Sequence, residues 1–269
     1  MAVLAHPDDE SLGMGGTLAK YAAKGVETFL VTATRGDRGR YRGHRFGDAQ
    51  HPGPSALATI REAELRAAAA ALGVREVSLL DYEDSHLDRA NPIQAIADIV
   101  GHLRRVRPDV VVTFAPDGAY GHPDHIAISQ FTTAAILAAA DQNFGGEAGL
   151  AAQPHAVSKL YYMAWTASTW AAYQAAVSLL VSNVDGVERR ATPWPDWAIT
   201  TVIDTRDFWS TAWRAVSCHE SQISGYQRLR DLAPEHHQHV WGQQSFYRAL
   251  SLVNGGRSPE TDLFEGINR

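Results

Sequence analysis

Short apolar runs alternate with segments of helical periodicity through the first 140 residues of the chain. Runs over 2–5, 27–34, 76–80 and 110–114 read as strands, and the stretches 15–24, 54–72, 92–106 and 126–140 as helices. The helix ends have residue-specific terminators. The first helix stops before Gly25, the second opens on Pro54 and stops at Gly73, and the third opens on Pro92 and closes before Arg107-Pro108. Strands separated by helices in this way build βαβ units, so an α/β fold with a mainly parallel sheet flanked by helices is expected. Beyond residue 140 the pattern loosens. A Gly/Ala/Asn-rich loop is expected over 141–157, strands over 159–165 and 197–205, and a helix over 208–230. The aromatic residues of that helix are expected in the core and the pocket wall rather than in a cofactor box. No repeat or low-complexity linker interrupts the chain. One domain over 1–269 is therefore expected, with a core over 1–140 and an irregular C-terminal third over 141–269 that completes the substrate pocket.

Composition narrows the partners. At 269 residues, 45% hydrophobic and 20% charged, the chain can bury a sizeable core. A formal net charge of −6 argues against a protein that grips nucleic acid by its phosphates. A single cysteine, Cys218, excludes an internal disulfide framework. No apolar run approaches the roughly 18 residues of a membrane-spanning helix, and no basic start leads into a long apolar run. The expected setting is cytoplasmic, with no membrane span and no nucleic-acid partner; a homo-oligomer stays open.

Two polar clusters carry the chemistry. The stretch AHPDDES places His6, Asp8, Asp9 and Glu10 just after the first apolar run, at the carboxyl end of a strand. In open parallel sheets that edge binds ligands. Pro7 stops the strand and stiffens the loop. The glycines that follow, Gly13, Gly15 and Gly16, do not make a dinucleotide fingerprint, because Leu18 stands where the last glycine belongs; they are expected to pack the first helix closely on the sheet. The same chemistry recurs at Tyr120-Gly121-His122-Pro123-Asp124-His125, again between a strand and a helix. Histidine and carboxylate ligands from two loops at one sheet edge make a three-ligand metal site with an open position, and the absence of cysteine excludes a closed zinc-finger type.

AHPDDE near the start with HPDH later resembles the PIG-L/LmbE-like family of zinc-dependent N-acetylglucosaminyl deacetylases, which includes enzymes of mycothiol and bacillithiol synthesis. Thr34-Arg35-Gly36, the run Arg61-Glu62-Ala63-Glu64 leading to Leu72-Gly73, His219-Glu220-Ser221-Gln222 and Asp262-Leu263-Phe264 follow in family order. The resemblance implies a Rossmann-like fold and one Zn2+ per chain, with other divalent ions as alternatives, held by His6, Asp9 and His125. It further implies Asp8 as general base, His122 as general acid or electrostatic stabiliser, and Asp124 as the carboxylate that orients a histidine. Tyr120 corresponds to a tyrosine that polarises the amide carbonyl, Arg61 to a sugar-binding arginine, and His219 to a residue near the site. The implied substrate is a small-molecule amino sugar.

Five arginines, Arg35, Arg38, Arg40, Arg42 and Arg45, follow the second strand and so emerge at the same edge. Arginine recognises carboxylate and phosphate through paired hydrogen bonds. The run, with Arg35 as a substrate contact, favours an anionic aglycone such as that of N-acetylglucosaminyl malate. Deacetylation of another amino sugar, including an inositol glycoside, and an amidase of thiol S-conjugates are the alternatives; a metal-dependent phosphoesterase or a non-catalytic sugar-binding protein fits less well. Glu10 has no chemical role in this reading, and His236-His237-Gln238-His239 is expected to be an exposed polar helix end or loop.

Overall fold

In the computed structural model the apolar runs form strands β1 (Ala2–Leu4), β2 (Phe29–Thr34), β3 (Glu76–Tyr82), β4 (Val110–Phe114), β5 (Lys159–Met163), β6 (Val181–Val184), β7 (Val187–Arg190), β8 (Thr201–Asp204) and β9 (Gln243–Ser251). The helices are α1 (Asp9–Ala23), α2 (Pro54–Leu72), α3 (Pro92–Val106), α4 (Gly118–Gly121), α5 (Pro123–Ala140), α6 (Ala167–Ala176), α7 (Trp209–Cys218), α8 (Gln227–Arg230) and α9 (Pro234–Trp241). The structure describes residues 1–145, 153–176, 181–184, 186–256 and 258–268, so part of the loop expected over 141–157 lies outside the described residues.

A seven-stranded sheet runs in the order β3-β2-β1-β4-β5-β9-β8. The five strands from β3 to β5 are parallel to their neighbours, and β9 and β8 complete the sheet antiparallel. β6 and β7 pair apart as a hairpin. The order steps outward from β1 to β3 and then returns to β4 beside β1, which sends the connecting helices to opposite faces. Accordingly α1 and α2 pack together with α7, while α3 packs with α5. β1 and β4 are fully buried between the layers, as near-continuous apolar runs in a parallel sheet require.

Several expectations shift. α1 begins at Asp9 rather than Gly15, with Asp9 and Glu10 in its first turn, where carboxylates meet the positive end of the helix dipole. A Cβ at Gly13 would strike Met163 of the sheet, but at Gly15 it would meet Ala212 of α7 and at Gly16 Thr205, so most of this glycine run admits the C-terminal part rather than the sheet. The helix expected over 208–230 stops at Cys218, because Ser221 turns away to donate its N–H and hydroxyl to Glu64 at 2.6 Å each. In the expected polar run, His237 is buried among the rings of Trp209, Trp213 and Trp241 on α9, while His236 and His239 are exposed.

One buried carboxylate ties the antiparallel strands to the parallel core. Glu260 accepts bonds from Lys159 at 2.7 Å, Tyr161 at 2.7 Å, Thr201 at 2.7 Å, Arg248 at 2.6 Å and Asn254 at 2.7 Å. Lys159 is fully buried. Burial alone would raise the Glu260 carboxyl, but the donors, Lys159 foremost, outweigh it and hold the group at about 2. Glu260→Ala leaves a buried ammonium unpaired and is expected to cost about 3–5 kcal/mol, read as a lower urea midpoint. The depressed value makes the contribution complete above the ordinary carboxylate value of 4.5 and lost as pH falls through about 2. Glu260→Gln is therefore expected to flatten the loss of urea stability with pH in that window; an unchanged slope would assign acid unfolding to other groups.

Candidate metal centre

β1 and β4 are neighbours in register, with Ala2 opposite Val112. The loops that leave them face each other at the carboxyl edge. His6 stands on the first loop, Asp9 opens α1, and His125 lies in the first turn of α5. Their ligand atoms converge: His6 Nδ1 is 3.2 Å from His125 Nε2 and 3.7 Å from Asp9 Oδ2, and His125 Nε2 is 3.5 Å from Asp9 Oδ1. A tetrahedral zinc ion with bonds of about 2.0–2.1 Å has ligand atoms roughly 3.3 Å apart. The triangle has that size.

Hydrogen bonds at the far side of each ring set the tautomers. His125 Nδ1 is 3.3 Å from the Gly118 carbonyl, which can only accept, so Nε2 presents a lone pair. His6 Nε2 is 3.0 Å from Asp124 Oδ2 and 3.3 Å from Asp84 Oδ1, so Nδ1 presents the second lone pair. With a cation bound, two lone pairs and a carboxylate would thus point at one place; in its absence a proton on His6 Nδ1 bridges to His125 Nε2 at 3.2 Å. Burial and the positive charge of His6 keep His125 neutral, well below 6.5. Burial works against charge on His6, yet Asp124 and Asp84 raise it well above 6.5, so a proton competes with a metal for Nδ1. Burial and then the neighbouring Asp8 and Glu10 push Asp9 up to about 7, against the pull of His6. Crowded buried carboxylates of this kind call for positive charge. The donor set fits a divalent cation.

Asp124, expected to orient a histidine, has its Oδ2 3.0 Å from His6 Nε2. Its own oxygens are fixed by the amides of Ser85 at 2.7 Å and Leu87 at 3.0 Å. His122 Nδ1 accepts the Asp124 amide at 3.2 Å, which leaves Nε2 as the protonated atom of a neutral ring. Burial, followed by the charge of His6, lowers its pKa to about 4. With Nδ1 accepting, the neutral His122 ring offers Nε2–H as a donor. Burial and the Asp9 and Asp8 charges raise the Tyr120 hydroxyl, keeping it protonated, and its ring meets those of His122 and His125 edge-on.

Asp8 lines the same cavity but contributes no atom to the ligand triangle. Its backbone is in the left-handed region, φ 104°, a strain of about 1–3 kcal/mol for a side chain of this kind. Burial raises its pKa, against the charge of Arg61. Arg61, itself buried, reaches from α2 to the Pro7 carbonyl, to Gly36 O at 2.8 Å and to Asp8 Oδ2 at 3.3 Å. The cavity, about 260 Å³, is lined by the apolar Phe114, Trp165, Trp170 and Leu12 and by the charged Asp8, Arg38, Arg61 and Asp84. Phe114 stacks flat on His125 at 3.9 Å.

Two expected substrate residues are elsewhere. Arg35 does not line the cavity; it is paired with Glu62 and with Asp81 at 2.5 Å. His219 is buried behind the Asp8 loop, bonded to Glu10 Oε1 at 2.8 Å. Of the arginine run only Arg38 lines the cavity, with its guanidinium on Glu83. Sequence reasoning missed Asp84, which keeps a depressed pKa because His6 and Arg61 outweigh its burial. It stands just past β3 at the ligand-binding edge, and that position was the available signal.

The family model described as PIG-L, GlcNAc-PI de-N-acetylase, matches residues 1–136. A 1D-myo-inositol 2-acetamido-2-deoxy-alpha-D-glucopyranoside deacetylase of Rhodococcus opacus is 36% identical over 83% of this chain and 81% of its own length. The N,N'-diacetylchitobiose deacetylase of Pyrococcus horikoshii superposes with a TM-score of 0.67 at 22% identity, covering 92% of this chain and 82% of that one. The 4-carboxy-2-hydroxymuconate hydratase of Pseudomonas putida KT2440 shares the fold as closely, with a TM-score of 0.68 at 18% identity over 95% and 97% of the two chains. By the family model and by this level of identity, the chain belongs to the PIG-L family of de-N-acetylases.

Proposed function

We propose that the protein is a zinc-dependent deacetylase that hydrolyses the N-acetyl group of an N-acetylglucosaminyl conjugate, releasing acetate and a free amine. Family membership makes the chain an amide hydrolase. One observation carries the assignment of roles: three ligand atoms converge at 3.2–3.7 Å while Asp8, adjacent in sequence to Asp9, opens onto the same cavity without joining them. A divalent cation bound there supplies Lewis acidity, polarising a carbonyl and lowering the pKa of water toward about 7. His6, Asp9 and His125 hold the ion; Asp8 takes the proton of the attacking water. Its burial raises its proton affinity, which makes it a stronger base toward that water than an exposed aspartate. Tyr120 O–H and His122 Nε2–H donate to the oxygen on which negative charge develops. The departing amine takes its proton from Asp8. Arg61 orients Asp8 and, with Arg38 and Asp84, faces the sugar hydroxyls.

The preferred conjugate is the N-acetylglucosaminyl inositol glycoside. The Rhodococcus opacus relative acts on that compound by its name, and three of the five arginines that favoured malate are engaged otherwise: Arg35 with Glu62 and Asp81, Arg40 with the Gly43 carbonyl, and Arg42 with Glu220.

Asp8→Ala is expected to retain metal at wild-type stoichiometry and lose about 10²–10⁴ in kcat, whereas His6→Ala loses the metal. Elemental analysis with acetate release checks both, and a fast Asp8→Ala enzyme removes the base assignment. In a substrate panel the inositol glycoside is expected to exceed the malate conjugate by about tenfold or more in kcat/KM. The reverse ranking restores the anionic aglycone.

A further inference from the structure

Glu10 is fully buried and His219 nearly so, and neither lines the cavity. The Glu10 carboxylate accepts three donors: the Asp8 N–H at 3.0 Å on Oε2, and on Oε1 the Ser11 hydroxyl at 2.5 Å and His219 Nε2 at 2.8 Å. The Asp8 N–H belongs to the Pro7–Asp8 peptide, whose carbonyl is bound by Arg61. One peptide unit is therefore clamped at both ends, its C=O by Arg61 of α2 and its N–H by Glu10. It is also the peptide whose orientation sets φ of Asp8, held at 104°. Rotation of that plane is the cheapest way for Asp8 to leave the left-handed region, because it changes φ of Asp8 and ψ of Pro7 while moving few other atoms. Rotation would turn the N–H away from Glu10 and, by shifting the Asp8 nitrogen, tilt the Cα–Cβ bond that aims the carboxylate.

We propose that Glu10, itself fixed by His219, is a positioning residue that locks the Pro7–Asp8 peptide and so aims the Asp8 carboxylate, touching neither metal nor substrate. The inference rests on Asp8 as the base. It also gives the C-terminal part a definite task at the N-terminal loop: His219 ends α7 and holds a residue 209 positions earlier in the chain.

The test is a double-mutant cycle between Glu10→Ala and Asp8→Ala in the metal-loaded enzyme, with the inositol glycoside as substrate. Glu10→Ala is expected to lower kcat about 10²-fold, with KM and metal stoichiometry unchanged, as for a displaced catalytic group. In the Asp8→Ala background the same substitution is expected to add less than about threefold, since nothing remains to be aimed. Glu10→Gln keeps an acceptor for the Asp8 N–H and is expected to recover most of the turnover lost in Glu10→Ala. Losses that multiply in the double variant, or loss of metal in Glu10→Ala, would overturn the proposal. If Glu10→Ala does not fold, a folded Glu10→Gln enzyme as slow as Asp8→Ala overturns it equally. Failure of the base assignment is read separately, from turnover in Asp8→Ala alone.

Discussion

Everything at the site follows from β1 and β4 lying side by side. They are adjacent in the sheet, Ala2 against Val112, although more than a hundred residues separate them in the chain. Their helices leave toward opposite faces, so the two loops part above the strands and leave a crevice between them. A histidine and a carboxylate on one side then meet a histidine on the other at 3.2 and 3.5 Å. Neither loop holds the full ligand set. The ion's place exists only because the sheet brings two distant segments together, and both strands are buried too well to slide.

Such proximity concentrates negative charge. Asp9 and, around it, Asp8, Glu10, Asp84 and Asp124 are all buried. The fold handles each differently: Asp124 and Asp84 are spent on His6, Glu10 on His219, and Asp8 shares Arg61. Burial and the neighbouring Asp8 and Glu10 outweigh the pull of His6 on Asp9, and its pKa rises to about 7. The divergent roles of neighbouring carboxylates thus come from what stands behind each one. Their shared position in AHPDDE says nothing of this.

What could be read from the chain was local. The boundaries of α2, α3 and β4 follow from Pro54, Gly73, Pro92 and Pro108, and the structure reproduces them residue for residue. The meeting of two His/Asp clusters was legible because two motifs repeat one chemistry at equivalent strand ends, whereas His6, Asp9 and His125 as the ligand set came from the family resemblance. What depended on distant partners was not. β9 carries too many polar residues to read as an interior strand, and its Arg248 is tolerable only because Glu260 receives it. Arg35 looked like a substrate contact until Glu62 and Asp81 were placed beside it. Glu10 had no role until a histidine from α7 faced it.

The hydratase that shares this fold as closely as the deacetylase does sets the limit of what architecture decides. A Rossmann-like sheet with a crevice between β1 and β4 offers a place for chemistry without choosing the reaction. In the proposed mechanism the choice is made by atoms within the crevice: lone pairs that would fix a cation, a strained aspartate beside it that is kept out of the ligand set, and protonated donors on Tyr120 and His122. Of these the strained aspartate is the most demanding, because a left-handed backbone persists only where its surroundings leave it no alternative. Arg61 and Glu10 remove the alternative from the two ends of one peptide. The position of a single carboxylate therefore depends on α2 and α7 as much as on the loop that bears it, and the C-terminal third, the least legible part of the sequence, is built into the reaction centre.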